Sequence, residues 1–162
     1  MTIRIGQGFD IHRMVAGRAC NIGGVVVPHD AGPLGHSDGD PLLHAVTDAL
    51  FGAAGMGDIG EHFPDTDPRY KDADSKELLR LAAIKLKDAG WRVMNVDASV
   101  LAEAPKLKPH KGAMEETIAK LLGLSSDRVN VKAKTMEGLD AVGRKEAIAV
   151  HCVVLIEQGA GF

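Results

Sequence analysis

The stretch "EAIAVHCVVLIE", residues 146–157, constrains the fold most. It is apolar at consecutive positions and rich in β-branched residues, so it reads as an interior strand covered on both faces. Such a strand needs partners along both edges, and the sequence supplies them. "RIGQGFDIH" (4–12) reads as a short strand, and "GGVVVPHDAG" (23–32) as a second, ended by Pro28 and a turn. "RVMNVDASVLAEA" (92–104) alternates, with Met94, Val96, Ala98, Val100 and Ala102 on one face. "RVNVKAKTM" (128–136) offers Val129, Val131 and Ala133 in the same way.

Three helices separate these strands. In "SDGDPLLHAVTDALFGAAG", Asp40 suits the N-cap and Pro41 the first helical position. Its core stripe is Leu43, Val46, Leu50 and Ala53. In "DSKELLRLAAIKLKDAG", Asp74 and Glu77 have capping-box spacing, and Gly90 suits the position just past the C-cap. "HKGAMEETIAKLLG" buries Met114, Ile118, Leu121 and Leu122. Strands and helices interleave without a regular βαβ rhythm, so the expected architecture is α+β: a mixed sheet with helices packed on one face. At 162 residues, one domain spanning 1–162 is expected. Aromatics are only 4%, so the core must be built from Val, Ile, Leu and Ala.

A net charge of -3 leaves no basic excess to displace phosphate counterions, which argues against a nucleic-acid binder. Cys20 and Cys152 form no motif and sit among apolar residues; reduced, buried thiols and a cytoplasmic location are expected. No signal peptide or membrane-length apolar run is present, so no membrane association is expected.

The chemistry-bearing residues cluster. On a strand, Asp10 and His12 project from one face. On the first helix His44 shares a face with Asp40 and Asp48, distinct from the core stripe. Two histidines and one carboxylate would give a zinc ion three protein ligands and leave one open position. Asp40 or Asp48 would then orient the His44 ring. Taken singly, the same residues also read as a solvated strand end and a half-buried helix histidine. His36 and Ser37, in the glycine-flanked "LGHSDGD", run into a helix N-terminus, a setting that suits a phosphate as well as an ordinary polar turn. The long connection "GMGDIGEHFPDTDPRYKDAD" carries Asp58, Asp65 and Asp67, as a solvated acidic turn or as a flap that binds a polyol. "EAPKLKPH" offers Lys106 and Lys108; "KAKTMEGLDAVGRKE" offers Lys132, Lys134, Thr135, Glu137 and Arg144. Cations beside a carboxylate and a hydroxyl suit a Mg²⁺-bridged diphosphate, and equally an exposed strand edge.

Taken in order, "RIGQGFDIHR", "GHSDGDPLLHAVTDALFGAAGMGDIGEHFPDTDPRYKDADS", "NVDASVLAEAPKLKPH" and "VNVKAKTMEGL" resemble the 2-C-methyl-D-erythritol 2,4-cyclodiphosphate synthase family of the non-mevalonate isoprenoid pathway. The resemblance implies a ferredoxin-like α+β chain that assembles as a homotrimer with active sites between subunits. It implies zinc on Asp10, His12 and His44, and a second divalent ion, Mg²⁺ or Mn²⁺, on Glu137. The substrate's phosphates would meet His36, Ser37, Lys134 and Thr135; its methylerythritol part would meet Asp58, Ile59, Gly60, Phe63 and Asp65. Ala102, Pro105, Lys106, Ala133 and Thr135 would form the cytidine pocket, and Arg144 would bind an anion in a cavity along the trimer axis. The activity implied is that of a phosphorus–oxygen lyase that closes a cyclic diphosphate and releases CMP. This chain departs from the pattern at "GLDAVGR", where Asp140 and Ala141 replace a Gly-aromatic pair that lines that cavity. A zinc-dependent phosphate-ester hydrolase and a non-enzymatic trimer binding a nucleotide or isoprenoid diphosphate are the alternative functions.

Overall fold

The computed structural model describes residues 2–158. Its main sheet has the order β4–β1–β7–β5–β6, built from β1 (Thr2–Ala16), β4 (Ala31–Pro33), β5 (Arg92–Leu101), β6 (Val129–Lys134) and β7 (Ala147–Gln158). Only the β5–β6 pair is parallel. The stretch that constrained the fold is therefore the central strand, paired with β1 from Thr2↔Gln158 to Arg13↔Ala147. A hairpin of β2 (Cys20–Ile22) and β3 (Val25–Val27) stands apart.

Helix α1 (Pro41–Ala54) lies across β1 and β7, and α4 (Lys111–Leu122) covers β6. Helix α3 (Ser75–Asp88) packs against both helices. Two short helices, α2 (Ile59–His62) and α5 (Asp140–Gly143), sit in connections. The core lies between the helices and one sheet face, where Ile148, Val150, Cys152, Val154 and Ile156 of β7 are wholly buried against Leu43, Val46 and Leu50 of α1. Burial pushes the Cys20 thiol up to about 11 and the Cys152 thiol up to about 12, and neither is in a disulfide. Among the described residues, no helix is long and apolar enough to cross a membrane.

The helix ends follow local chemistry. Asp40 caps α1 through the N–H groups of Leu42 and Leu43, with Pro41 at the first position. Helix α3 ends in a Schellman motif: Gly90, at φ +80°, donates to the Lys87 carbonyl and Trp91 to that of Leu86.

Several expectations need correction. Within "GGVVVPHDAG" the strand β3 does end before Pro28, but Gly23 and Gly24 take positive φ and form the β2–β3 turn, and Ala31 and Gly32 already belong to β4. A bulge between Val93 and Asn95 shifts the phase of β5, so Val93 is buried where Met94 was expected. Ala133 is exposed, Leu121 and Leu122 are half-buried, and Glu77 pairs with Arg80 instead of closing a capping box. The long elements run β-α-α-β-α-β-β, unlike the ferredoxin-like β-α-β-β-α-β order. Finally, β7 is covered on one face only over most of its length. His151 and Val153 stand exposed beside Ile3, Ile5, Phe9 and Ile11 of β1, an open apolar sheet face. Apolar periodicity records what a face is made of and is blind to what covers it.

Candidate active site

The site begins with two glycines. Gly6, Gly8, Asp10 and His12 alternate onto the helix-facing side of β1. A Cβ at Gly6 would meet the Ala49 carbonyl oxygen at 1.9 Å, and one at Gly8 the Ala45 oxygen at 2.0 Å. Helix α1 therefore rests directly on the β1 backbone, which carries His44 onto Asp10 and His12. Asp10 Oδ2 lies 2.7 Å from His12 Nε2 and 3.2 Å from His44 Nδ1, and the two ring nitrogens are 3.2 Å apart.

The outer nitrogens of both rings are already committed. His12 Nδ1–H donates to the Leu34 carbonyl at 2.5 Å. His44 Nε2 is 2.9 Å from both Ser37 Oγ and Ser75 Oγ. Burial pushes the Asp10 carboxyl up, but its side-chain contacts with His12 and His44 outweigh it and hold the group at about 2. For His12, burial favours the neutral ring, but the Asp10 contact wins and raises its pKa above 6.5. The inner lone pairs of two imidazoles and a carboxylate thus face one point, with all three donor atoms within 4.8 Å of one another. They repel unless a positive charge sits between them. A mixed nitrogen–oxygen set of three, open on a fourth side, fits a divalent cation of the zinc type. Among the described residues no other such group of ligands occurs.

Asp40 and Asp48 do not orient the His44 ring, contrary to expectation. Asp40 is wholly buried and takes N–H groups from Gly23, Gly24, Leu42 and Leu43, so its carboxylate is consumed by the backbone. Asp48 accepts from the Ile59 N–H at 3.0 Å and so anchors the α2 loop. The residues that do hold the ring include Ser75, the first residue of α3, 31 positions from His44. Sequence reading missed it because a serine at a helix start reads as a capping residue.

A cavity of about 340 Å³ opens beside the triad, lined by His36, Ser37, Phe63, Asp65 and Tyr70 among others. A second of about 310 Å³ is lined by Phe9, Asp10, Asp48 and Asp58, and His44, Ile59 and Gly60 border both. The loop that walls them is pinned by His62, which stacks on Phe51 at 3.9 Å and donates to the Met56 carbonyl at 2.8 Å. Asp58 caps α2 through the Glu61 N–H. One chain therefore gathers the Asp10–His12–His44 triad, His36, Ser37 and the 58–65 loop around one cavity system.

It does not gather the rest. Ala102, Pro105, Lys106, Ala133, Lys134, Thr135 and Glu137 line neither cavity. Asp10, Val150, Val100 and Ala133 are successive partners across the sheet, so three strand spacings, ~14 Å, separate Asp10 from Ala133. Glu137 is exposed with φ +52°, its carboxylate 3.4 Å from Thr135 Oγ1. Arg144 is exposed and paired to Glu146 at 3.1 Å.

A two-layer α+β chain with a carboxylate–imidazole triad beside a cavity of mixed polar and apolar lining is of the class whose residues could hold a divalent cation. The family model described as the YgbB family matches residues 3–157, and the chain belongs to that family. It is 60% identical over 162 residues to the 2-C-methyl-D-erythritol 2,4-cyclodiphosphate synthase of Bordetella avium (strain 197N), across 99% of this chain and 100% of that relative. Among solved structures, a CDP-bound 2C-methyl-D-erythritol-2,4-cyclodiphosphate synthase matches with a TM-score of 0.88 at 40% identity, over 95% of this chain and all of that one. The bifunctional IspDF of Campylobacter jejuni matches with a TM-score of 0.94 at 46% identity; 98% of this chain is covered, but only 43% of that longer one.

Proposed function

We propose that this chain cyclises 4-diphosphocytidyl-2-C-methyl-D-erythritol 2-phosphate to 2-C-methyl-D-erythritol 2,4-cyclodiphosphate with release of CMP, in the non-mevalonate isoprenoid pathway. The carrying observation is the convergence of Asp10, His12 and His44 on one point beside the His36–Ser37 cavity, in a chain similar over its full length to synthases of that name. An oxygen of the 2-phosphate attacks the β-phosphorus, the bond from that phosphorus to the bridging oxygen breaks, and CMP leaves with the electron pair. The ring closes through phosphorus–oxygen bonds alone, so no protein nucleophile is needed, and the residues have only to bind, orient and neutralise.

Asp10, His12 and His44 would hold zinc, and Glu137 would hold Mg²⁺ or Mn²⁺; when bound, these ions supply positive charge to the diphosphate oxygens. Ser37 Oγ accepts from the Gly39 N–H and lies 2.9 Å from His44 Nε2, which places its hydroxyl to donate to a phosphate oxygen. His36, across the same cavity, offers a second donor. The 58–65 loop folds the methylerythritol part back so that the two phosphates meet.

Ala133, on the cytidine side, lies ~14 Å across the sheet from Asp10, a separation that supports a site shared between copies of the chain. The zinc side would come from one subunit and Ala102, Pro105, Lys106, Ala133, Lys134, Thr135 and Glu137 from its neighbour. The open apolar face of β1 and β7 is the surface a homotrimer would bury. Arg144 would project toward the trimer axis. Two buried, unbridged thiols suit a cytoplasmic enzyme.

Incubation with the diphosphocytidyl substrate, followed by phosphorus NMR, tests the reaction. A cyclase yields cyclic diphosphate and CMP in equal amounts; inorganic phosphate would mean a hydrolase instead.

A further inference from the structure

The reading of Asp10, His12 and His44 as cation ligands leaves open what makes His44 a ligand through Nδ1. A neutral imidazole donates from one nitrogen and coordinates from the other, and the partner of the outer nitrogen decides which. On the inner side Asp10 Oδ2, 3.2 Å from His44 Nδ1, draws a hydrogen onto the nitrogen that must coordinate, while the outer partners are hydroxyls, which can donate or accept and decide nothing by themselves. The decision lies one residue further out. Ser75 is wholly buried, and its hydroxyl makes a short hydrogen bond to Asp38 Oδ1. A carboxylate can only accept, so the Ser75 hydrogen points at Asp38, and the Ser75 oxygen presents its lone pair to His44 Nε2 at 2.9 Å.

Asp38 is itself fixed. Its Oδ2 takes the Ser75 N–H at 3.1 Å, its Oδ1 takes the Asp40 N–H at 3.1 Å, and its own N–H donates to the Ala73 carbonyl at 3.1 Å. The carboxylate therefore cannot turn away from Ser75 without leaving backbone N–H groups unpaired.

We infer that Asp38 and Ser75 are positioning residues for the metal site: through the Ser75 hydroxyl, the Asp38 carboxylate holds His44 as the Nε2–H tautomer, so that Nδ1 offers its lone pair to the cation. The inference rests on the triad being a cation site. It goes beyond that reading by assigning two residues outside the ligand set a defined effect on the third ligand. Ser37 alone cannot impose the tautomer, because among the described residues no carboxylate fixes the direction of its hydroxyl.

The test uses the full chain as wild type, Ser75→Ala and Asp38→Asn. Zinc affinity is measured by competition with a chromophoric chelator, and the His44 tautomer by long-range ¹H–¹⁵N NMR of the metal-free protein at mildly alkaline pH. The wild type should bind zinc and show His44 protonated at Nε2. Both variants should bind zinc about 10–100-fold more weakly, the range typical for loss of a group that orients a metal ligand. Their metal-free His44 signals should show an increased Nδ1–H fraction. Wild-type-like zinc affinity in folded Ser75→Ala would overturn the positioning role while leaving the metal site standing. A wild-type His44 protonated at Nδ1 would overturn it without any variant. A wild type that binds no divalent cation would overturn the metal reading itself, and the inference with it.

Discussion

His44 Nδ1 lies 3.2 Å from His12 Nε2, although the two residues are 32 positions apart and belong to opposite layers of the fold. In the absence of a cation only a proton can relieve the opposition of their lone pairs, and at His12 the neighbouring Asp10 carboxylate favours that proton, raising the pKa against the effect of burial. The sign of the pH dependence follows. A raised His12 pKa stabilises the metal-free fold fully below 6.5, and that stabilisation is lost as pH rises through the raised value. The lowered Asp10 contributes above 3.8 and is lost as pH falls through about 2. Zinc and the proton compete for the same point, so apparent zinc affinity should rise by up to about tenfold per pH unit until His12 is neutral, then level off. Calorimetric titration between pH 5.5 and 8.5 measures this; an affinity flat across that range would contradict the shared site.

Gly8 holds the helix and strand in contact. Gly8→Ala places a methyl group 2.0 Å from the Ala45 carbonyl oxygen, so α1 must lift from β1. A loss of about 1–3 kcal/mol in urea unfolding is expected, together with weaker zinc binding, because the lift carries His44 away from Asp10. Unchanged zinc affinity would show that the triad tolerates displacement of α1.

Asp40→Ala separates the cap from the metal site. Four backbone N–H groups lose their acceptor, so stability should fall by on the order of 3 kcal/mol. Zinc affinity, measured at a temperature where the variant stays folded, should change far less than in Ser75→Ala. A variant of normal stability that cannot bind zinc would restore Asp40 to the role that its helical spacing suggested.

Two inactive chains should rescue each other. His44→Ala removes the metal side and Glu137→Gln the opposite side, and in a shared site some interfaces of a mixed assembly carry neither change. Refolding the two variants together should restore turnover that neither shows alone. A mixture that stays inactive would mean that each chain builds its own site.

Much of this was legible in the sequence because local chemistry dictated it. Asp40–Pro41 fixed the start of α1, the apolar run at 146–157 became the central strand, and Asp10-x-His12 shared a strand face. The misses are long-range. Helical spacing put Asp40 and Asp48 beside His44, but two backbone glycines and the Ile59 N–H had other uses for those carboxylates. Ser75 and Asp38 meet only because α3 returns to the start of α1, which no spacing announces. The β5 bulge was invisible for a similar reason: alternation cannot register one extra residue until the partner strand is known.

The most direct measurement pairs metal content with turnover in His44→Ala. The side chain is half-buried on a helix where alanine is well tolerated, so the chain should fold. Mass spectrometry should find the triad's equivalent of zinc lost, and phosphorus NMR should show cyclisation slowed at least about 100-fold. A zinc-free His44→Ala protein that still closes the cyclic diphosphate at the wild-type rate would contradict the account.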